Sequence, residues 1–294
     1  MTTPPFDAIE LVAFMPTPFG DGGIDEYAVE QQMEHYRDTG VTVGLLGGLG
    51  EFYAVSHDEA TQLMRASVEG IGGEGKVLAA VGFATREAVR LAESAARVGC
   101  RGLVVNPPYY VHPSPQAFAE HLRSVTEASG LDAVVYSSTH LAIDDSYLDA
   151  LVNVDGFRGV KDELSSPDEF THRVKRWGDR VDFWAVGEHT AVPYVAAGAK
   201  AVTSALASVC PEASREHLAG TDRTGELAQL VHDSVRLLGV EPGTSASVAK
   251  EMIAAVRPWP TGVRGPQTAA SDSLRSAVRE LVVTMTDRYK DAER

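Results

Sequence analysis

The stretch that decides the fold is AVVYSSTHLAIDDSYLDALVNVDGFRGVK, residues 133–161. It opens with an apolar run at 133–136, continues through a weakly helical segment at 145–154, and closes with a second apolar run at 157–161. Short apolar runs without clean alternation are typical of strands that are covered on both faces. Strand, helix and strand in this order predict one βαβ unit of a parallel sheet.

The same alternation extends in both directions along the chain. Apolar runs occur at 10–14, 43–46, 77–81, 103–105, 133–136, 157–161, 181–186 and 199–203. Helical patterns separate them, at 25–39, 57–70, 86–98, 114–129, 145–154, 167–177 and 189–197. Eight units in about 200 residues predict an α/β fold, a closed (β/α)8 TIM barrel. An open doubly wound sheet is the alternative, although the G-x-G-x-x-G sequence expected after its first strand is missing.

From residue 211 onward the pattern is helical only. The helical segments lie at 212–218, 224–238, 245–256 and 271–290. The first of them completes the eighth barrel unit, and the others form a C-terminal helical extension. We therefore divide the chain into a barrel at 1–220 and an extension at 221–294. No linker-like stretch separates the two, so we expect the extension to pack on the barrel as one structural unit.

Composition limits the classes of partner. The chain of 294 residues carries 26 Lys and Arg against 41 Asp and Glu, a net charge of −15. Such an acidic surface argues against nucleic acid or an anionic membrane as the partner. Cys100 and Cys210 belong to no C-x-x-C pair, which indicates buried, reduced thiols in a cytoplasmic protein. No run of 18 apolar residues and no basic-then-apolar N-terminal stretch occurs, so we expect neither a spanning helix nor a secretory signal.

Two side chains that end apolar runs are candidate catalytic residues, because active sites of such barrels lie at the C-terminal strand ends. Lys161 ends the run 157–161, where partial loss of hydration would lower its pKa and free the amine to attack a carbonyl group. Tyr136 ends the preceding run, and a phenol beside such a lysine can transfer protons. The structural alternatives are a lysine that pairs with Asp162 or Glu163, and a tyrosine whose hydroxyl group faces solvent.

A glycine-rich turn follows the second apolar run. It reads Gly-Gly-Leu-Gly-Glu at 47–51. Glycines allow a close backbone approach, and successive N–H groups can hold an anion. The structural alternative is a tight connection between a strand and a helix.

Together these features resemble the dihydrodipicolinate synthase / N-acetylneuraminate lyase family. The shared pieces, over about residues 10–266, are Pro-Thr-Pro-Phe at 16–19, the glycine turn at 47–51, Pro-Tyr-Tyr at 108–110, Tyr136, and Gly-Val-Lys-Asp at 159–162. The resemblance implies a (β/α)8 barrel with a C-terminal helical region, usually a homotetramer. It implies a Schiff base between the lysine and a 2-oxo acid, commonly pyruvate. No metal or organic cofactor is expected, because the imine accepts the electrons, and the nine histidines show no metal-ligand spacing.

Within the family, the chain is most similar to the 5-dehydro-4-deoxyglucarate dehydratase branch. After Tyr136 the sequence reads Ser-Ser-Thr-His-Leu-Ala, without the Asn-x-Pro-x-Arg stretch whose arginine holds the second substrate of the synthases. Ser204 matches a serine of the dehydratases, which implies a substrate contact. Gly48 and Leu49 stand where the family usually carries threonine. Their backbone amides would therefore hold the substrate carboxylate without a hydroxyl donor.

Two further residues are candidate substrate contacts. His140 falls in the loop after the fifth predicted strand and could bind a substrate hydroxyl group. Tyr110 matches a proton-relay tyrosine that synthases supply from a neighbouring subunit. His112, His189 and Glu188 fall in predicted barrel-top loops and rank below them.

Three functions stay open on this sequence. The first is a decarboxylating dehydratase of the 5-dehydro-4-deoxy-D-glucarate type. The second is an aldolase or retro-aldolase that acts on another 2-oxo acid. The third is a barrel that has lost catalysis and only binds a ligand. In each case the partner is a small oxo acid, and the resemblance implies a homo-oligomer, a tetramer or dimer.

Overall fold

A closed barrel forms the centre of the computed structural model, which describes residues 10–72, 76–108, 110–222 and 224–290. Eight parallel strands follow one another around the barrel, and the last pairs with the first. They are β1 (Glu10–Phe14), β2 (Thr42–Leu45), β3 (Val77–Val81), β4 (Gly102–Val105), β5 (Ala133–Ser137), β6 (Phe157–Asp162), β7 (Asp182–Val186) and β8 (Ala201–Thr203). The predicted TIM barrel is confirmed. The open doubly wound alternative is wrong, because the sheet closes on itself.

Helices surround the barrel and continue beyond it. The described helices are α1 (Glu26–Thr39), α2 (His57–Gly70), α3 (Thr85–Val98), α4 (Pro115–Ser129), α5 (Asp145–Leu151), α6 (Pro167–Trp177), α7 (Glu188–Ala197), α8 (Pro211–Ala219), α9 (Glu226–Leu237), α10 (Ser245–Ala254) and α11 (Asp272–Lys290). The predicted boundary at residue 220 lies between α8 and α9. Because α9 packs against both α7 and α8, the extension contacts the barrel, and the division itself stays a prediction.

Local signals in the sequence set the helix ends. Ser56 begins α2 with a capping box, in which its hydroxyl accepts from the Glu59 amide and the Glu59 carboxylate accepts from the Ser56 amide. Ser166 and Glu169 form the same arrangement before α6. Gly99 ends α3 at a φ of 89°, a left-handed conformation that glycine adopts without steric cost. These ends place the loops that follow the strands.

The sequence pattern differs from the structure at two places. A small antiparallel hairpin, Phe19–Gly20 with Gly23–Ile24, precedes α1 and leaves no apolar signal because its strands are two residues long. The apolar runs at 181–186 and 199–203 begin before β7 and β8, since Val181 and Ala199 are buried but lie outside the strands. Burial makes a run apolar, whereas a strand also needs the hydrogen bonds of its neighbours.

Buried apolar side chains fill the space between barrel and helices. Phe118, Leu122 and Val125 of α4 are fully buried, as their helical spacing predicts. Cys100 and Cys210 are buried and free, which agrees with the expected thiols. Among the described helices, none is long and apolar enough to cross a membrane.

We predict that Gly159→Ala destabilises the fold by roughly 3 kcal/mol. A Cβ atom at Gly159 would lie 2.2 Å from the carbonyl oxygen of Asp182, the backbone of the neighbouring strand. That oxygen cannot rotate away, so the two strands would have to separate. Urea unfolding measures the change. Gly262→Ala is the control, since its Cβ would meet nothing within 4 Å; equal midpoints for the two variants would contradict this account.

Candidate active site

Lys161 and Tyr136 lie side by side at the C-terminal end of the barrel. They are direct partners in the register of β5 and β6. The Lys161 Nζ atom lies 3.7 Å from the centre of the Tyr136 ring and 4.7 Å from the centre of the Phe14 ring. The amine therefore sits between two aromatic faces, close to the phenol that could exchange protons with it.

The surroundings of Lys161 make its amine available near neutral pH. Burial lowers its pKa from 10.5 to about 8, and the charge of Glu163 opposes that shift. At pH 7 roughly a tenth of such an amine is neutral, against about one in three thousand for an ordinary lysine. Only the neutral amine attacks a carbonyl group, so this environment suits a nucleophile.

Glu163 is a cavity residue to which the sequence pattern assigns no catalytic role. The Tyr136 phenol donates a hydrogen bond to its Oε2 atom. Burial raises the pKa of Tyr136, and the bond to Glu163 and the charge of that carboxylate raise it further. Tyr136 is therefore held as a neutral phenol that is hydrogen-bonded to a carboxylate.

Three charged residues, Lys161, Asp162 and Glu163, follow one another at the end of β6 and differ in what they contact. Side chains alternate across a strand, and Glu163 directly follows the last residue of β6, its amide still bonded to the Ser137 carbonyl of β5. Lys161 and Glu163 accordingly line the cavity, whereas Asp162 does not. Asp162 is buried and accepts hydrogen bonds from the Ser165 hydroxyl at 2.6 Å and from Arg173 at 3.0 Å. This alternation is the signal that could have identified Glu163 from the sequence.

A cavity of about 680 Å³ opens above Lys161. Phe14, Tyr136 and Lys161 line its base, and Glu163 lies beside them. The glycine turn 47–49 lines one side. The start of α7 and the residues after β8 line another, and the extension contributes Val235, Leu238 and Ser245.

The glycine turn combines a packing role with exposed backbone amides. A Cβ atom on Gly44 or Gly47 would lie within 2.7 Å of the Phe14 ring, so these glycines make room for that ring. A Cβ atom on Gly48 would meet nothing within 4 Å. Within the described residues, the amides of Gly48 and Leu49 donate to no carbonyl or side chain. They are therefore available to an anion in the cavity.

Ser204 lines the cavity on the side of α7 and is fixed by several hydrogen bonds. Its hydroxyl oxygen accepts from the Ala207 amide at 2.8 Å and lies 3.1 Å from the Ser214 hydroxyl. Glu188, fully buried, accepts from the Leu206 amide at 3.3 Å. Burial raises the pKa of Glu188. Its bond to Leu206 holds the loop after β8 in place, which sets the position of Ser204.

Three of the predicted candidates do not line the cavity in the described chain. His140 is exposed, and its amide donates to the Ser138 hydroxyl at 3.3 Å. Tyr110 is 90% exposed and has a φ of 69°. His112 is also exposed. Loop residues follow no strand period, so sequence position alone does not fix their distance from the barrel axis. His189, in contrast, lies at the start of α7 and lines the cavity.

No metal centre accompanies this cavity in the described part of the chain, where no group of three or more His, Cys, Asp or Glu side chains could hold an ion. The expectation that catalysis needs no cofactor stays a prediction.

A (β/α)8 barrel with a buried lysine and a tyrosine at its C-terminal end defines the class of this protein. The chain belongs to the dihydrodipicolinate synthetase family, whose model matches residues 7–282. The family resemblance found in the sequence is confirmed.

The relatives differ in the enzyme that they are named for. A probable 5-dehydro-4-deoxyglucarate dehydratase of Methylobacterium radiotolerans is 28% identical over 92% of this chain and 93% of its own length. A 4-hydroxy-tetrahydrodipicolinate synthase of Acidiphilium cryptum is 31% identical over 78% of this chain and 80% of its own. The crystal structure of dihydrodipicolinate synthase from Aquifex aeolicus has a TM-score of 0.84 at 25% identity, covering 95% of this chain and 98% of the other. These relatives fix the family of enzymes but not one reaction.

We predict that Lys161 reacts with acetic anhydride at half its limiting rate near pH 8. The neutral amine is the reactive form, so the rate rises as pH increases through the pKa of about 8 and levels off above it. Glu163→Gln removes the charge that raises this pKa, so its midpoint moves to lower pH. Peptide mass spectrometry gives the rates, normalised to the exposed Lys200. A midpoint near pH 10 in both proteins would refute the buried-amine account.

Proposed function

We propose that this protein is a lyase in which Lys161 forms a Schiff base with the keto group of an oxo acid. The observation that carries the proposal is the buried Lys161 amine, with a pKa lowered to about 8, beside Tyr136 at the base of an open cavity. A lysine that merely balanced a carboxylate would keep its charge, whereas this one is poised to lose it.

The first step joins the amine to the substrate. The neutral Nζ atom of Lys161 attacks the keto carbon, and the carbonyl oxygen takes a proton from the Tyr136 phenol. The nitrogen of the new C–N bond then loses one proton, which returns to Tyr136 through Glu163. The Tyr136 phenol then donates its proton again, so that the hydroxyl group leaves as water. The nitrogen lone pair closes the C=N bond and gives a protonated imine beside the Tyr136 phenolate.

The second step uses the protonated imine as an electron acceptor. The carbon next to the imine loses a proton, and the Glu163 carboxylate is placed to accept it because it lies beside both Lys161 and Tyr136. The resulting enamine expels a hydroxyl group one carbon further along, which leaves as water. Glu163 returns the proton that this departure needs. In the decarboxylating reaction the distal carboxylate then leaves as carbon dioxide, its electron pair passes through the new C=C bond to the imine, and a solvent proton restores the protonated imine. Water adds to the imine carbon, the Tyr136 phenolate takes the proton of that water, and the product leaves as the neutral Lys161 amine is restored.

The substrate carboxylate is held on the glycine side of the cavity. The free amides of Gly48 and Leu49 supply the donors, and Ser204 assists from the opposite side. Replacing a hydroxyl donor by Leu49 removes one hydrogen bond to a charged group, which typically costs about 1.5–3 kcal/mol. In this proposal Tyr110 and His140 contact substrate only in a homo-oligomer, tetramer or dimer, or after movement of their loops.

Among lyase reactions we propose the decarboxylating dehydration of a 5-dehydro-4-deoxy-D-glucarate type of sugar acid. The similarity to the Methylobacterium radiotolerans dehydratase supports this choice. So does the sequence after Tyr136, which has no arginine to hold the second substrate of a synthase. Aldol cleavage of another 2-oxo acid uses the same imine and is the outcome to be distinguished.

We predict that borohydride reduction in the presence of pyruvate attaches the reduced substrate to Lys161 and to no other lysine. Lys161→Ala should lose the adduct and all turnover while its thermal midpoint stays within a few degrees. Lys200→Ala, at the opposite end of the barrel, should keep both. Intact-mass and peptide mass spectrometry read the outcome. If the wild-type protein stays unmodified, the Schiff-base proposal is wrong and a barrel that only binds a ligand is favoured.

We predict that 5-dehydro-4-deoxy-D-glucarate is converted with release of one carbon dioxide per molecule, because the imine stabilises the electrons left by the departing carboxylate. Carbon dioxide is measured by a coupled assay, with Lys161→Ala as the blank. Release of pyruvate without carbon dioxide would favour the aldolase.

A further inference from the structure

A buried ion pair links the glycine turn to the C-terminal extension. The Lys250 Nζ atom of α10 lies 2.5 Å from Oε1 of Glu51, and both side chains are fully buried. The second carboxylate oxygen of Glu51 accepts from the Arg264 amide at 2.8 Å. Lys250 also donates to the carbonyl of Gly262 at 2.5 Å. Both oxygens of Glu51 are therefore held by residues about 200 positions later in the chain.

This pair is attached to the backbone that carries the free amides. Glu51 ends the turn in a left-handed conformation with φ 51°, and Leu46, the residue before the turn, has a φ of 62°. Such conformations are strained for residues other than glycine and persist only where the surroundings hold them. Thr17 adds a second restraint, since its hydroxyl donates to the Gly50 carbonyl at 2.6 Å. The turn is thus fixed from outside at its last two residues.

A charged pair is a costly way to supply stability alone. Two ions must lose their hydration, and apolar residues of similar volume often stabilise a fold as well or better. An ion pair with directional hydrogen bonds does, however, fix the position of the residues that it joins. Lys250 does not line the cavity, so it cannot contact substrate directly.

We propose that Lys250 and Glu51 are positioning residues, which hold the amides of Gly48 and Leu49 at the substrate carboxylate. The C-terminal extension is then part of the substrate-binding apparatus. This inference rests on the proposed function, in which those two amides bind the carboxylate.

The test is the pyruvate concentration that gives half-maximal borohydride trapping at Lys161. Lys250→Met should raise it at least tenfold, while trapping at saturating pyruvate and its pH midpoint stay near those of the wild type. Glu51→Gln keeps the side-chain shape and should raise it about threefold. If Lys250→Met does not fold, the result for Glu51→Gln decides the test. The double variant Glu51→Leu/Lys250→Met should regain thermal stability without regaining affinity for pyruvate.

Glu251→Gln is the matched control. Glu251 is the next residue of α10, is buried, and pairs with Arg279 at 2.7 Å away from the turn. Its loss should lower thermal stability and leave half-maximal trapping unchanged. An unchanged half-maximal concentration in Lys250→Met and Glu51→Gln would overturn the positioning role while the lyase stands. Absence of any adduct in the wild-type protein would overturn the proposed function and this inference with it.

Discussion

The site depends on the withdrawal of one ammonium group from water. At the end of β6, Lys161 faces the rings of Phe14 and Tyr136, and the loss of hydration outweighs the opposing charge of Glu163. Aromatic faces attract a cation, but more weakly than water or a paired carboxylate does. The charged form therefore still prevails at pH 7, but with a pKa of about 8 roughly a tenth of the amine is neutral. Gly44 serves the same end, because a side chain there would displace the Phe14 ring.

The carboxylates near the C-terminal end of the barrel differ in the group that each one contacts. Asp162 is paired with Arg173, and Glu51 with Lys250, so both are structural anchors. Glu163, beside Lys161, instead accepts a hydrogen bond from the Tyr136 phenol. A phenol can give up or take back a proton during a reaction cycle, whereas a guanidinium cannot. The hydrogen-bond partner of each carboxylate, rather than its residue type, therefore distinguishes the structural carboxylates from the candidate catalytic one.

The sequence predicts those parts of the molecule that a period or a strand end determines. Alternating apolar and helical runs lead to the barrel, and consecutive strands place Tyr136 beside Lys161. The bond from Tyr136 to Glu163 depends on side-chain rotation at a strand end, which no period encodes. The pair of Lys250 and Glu51 joins positions 199 residues apart, and a single sequence carries no signal for such a contact. The exposed position of His140 could not be predicted either, because the conformation of a loop follows no strand or helix period.

The glycine turn and Glu163 would act together on the carboxylate of the proposed substrate. Gly48 and Leu49 offer amides but no hydroxyl group, so the turn attracts a carboxylate only through backbone dipoles. Glu163 also lines the cavity, and its negative charge would repel the same carboxylate. For the proposed oxo acid substrate, attraction by the turn and repulsion by Glu163 would together favour one orientation. In the proposed reaction the carboxylate would face the turn, and the carbon chain with its hydroxyl groups would face Glu163, the proton acceptor for elimination.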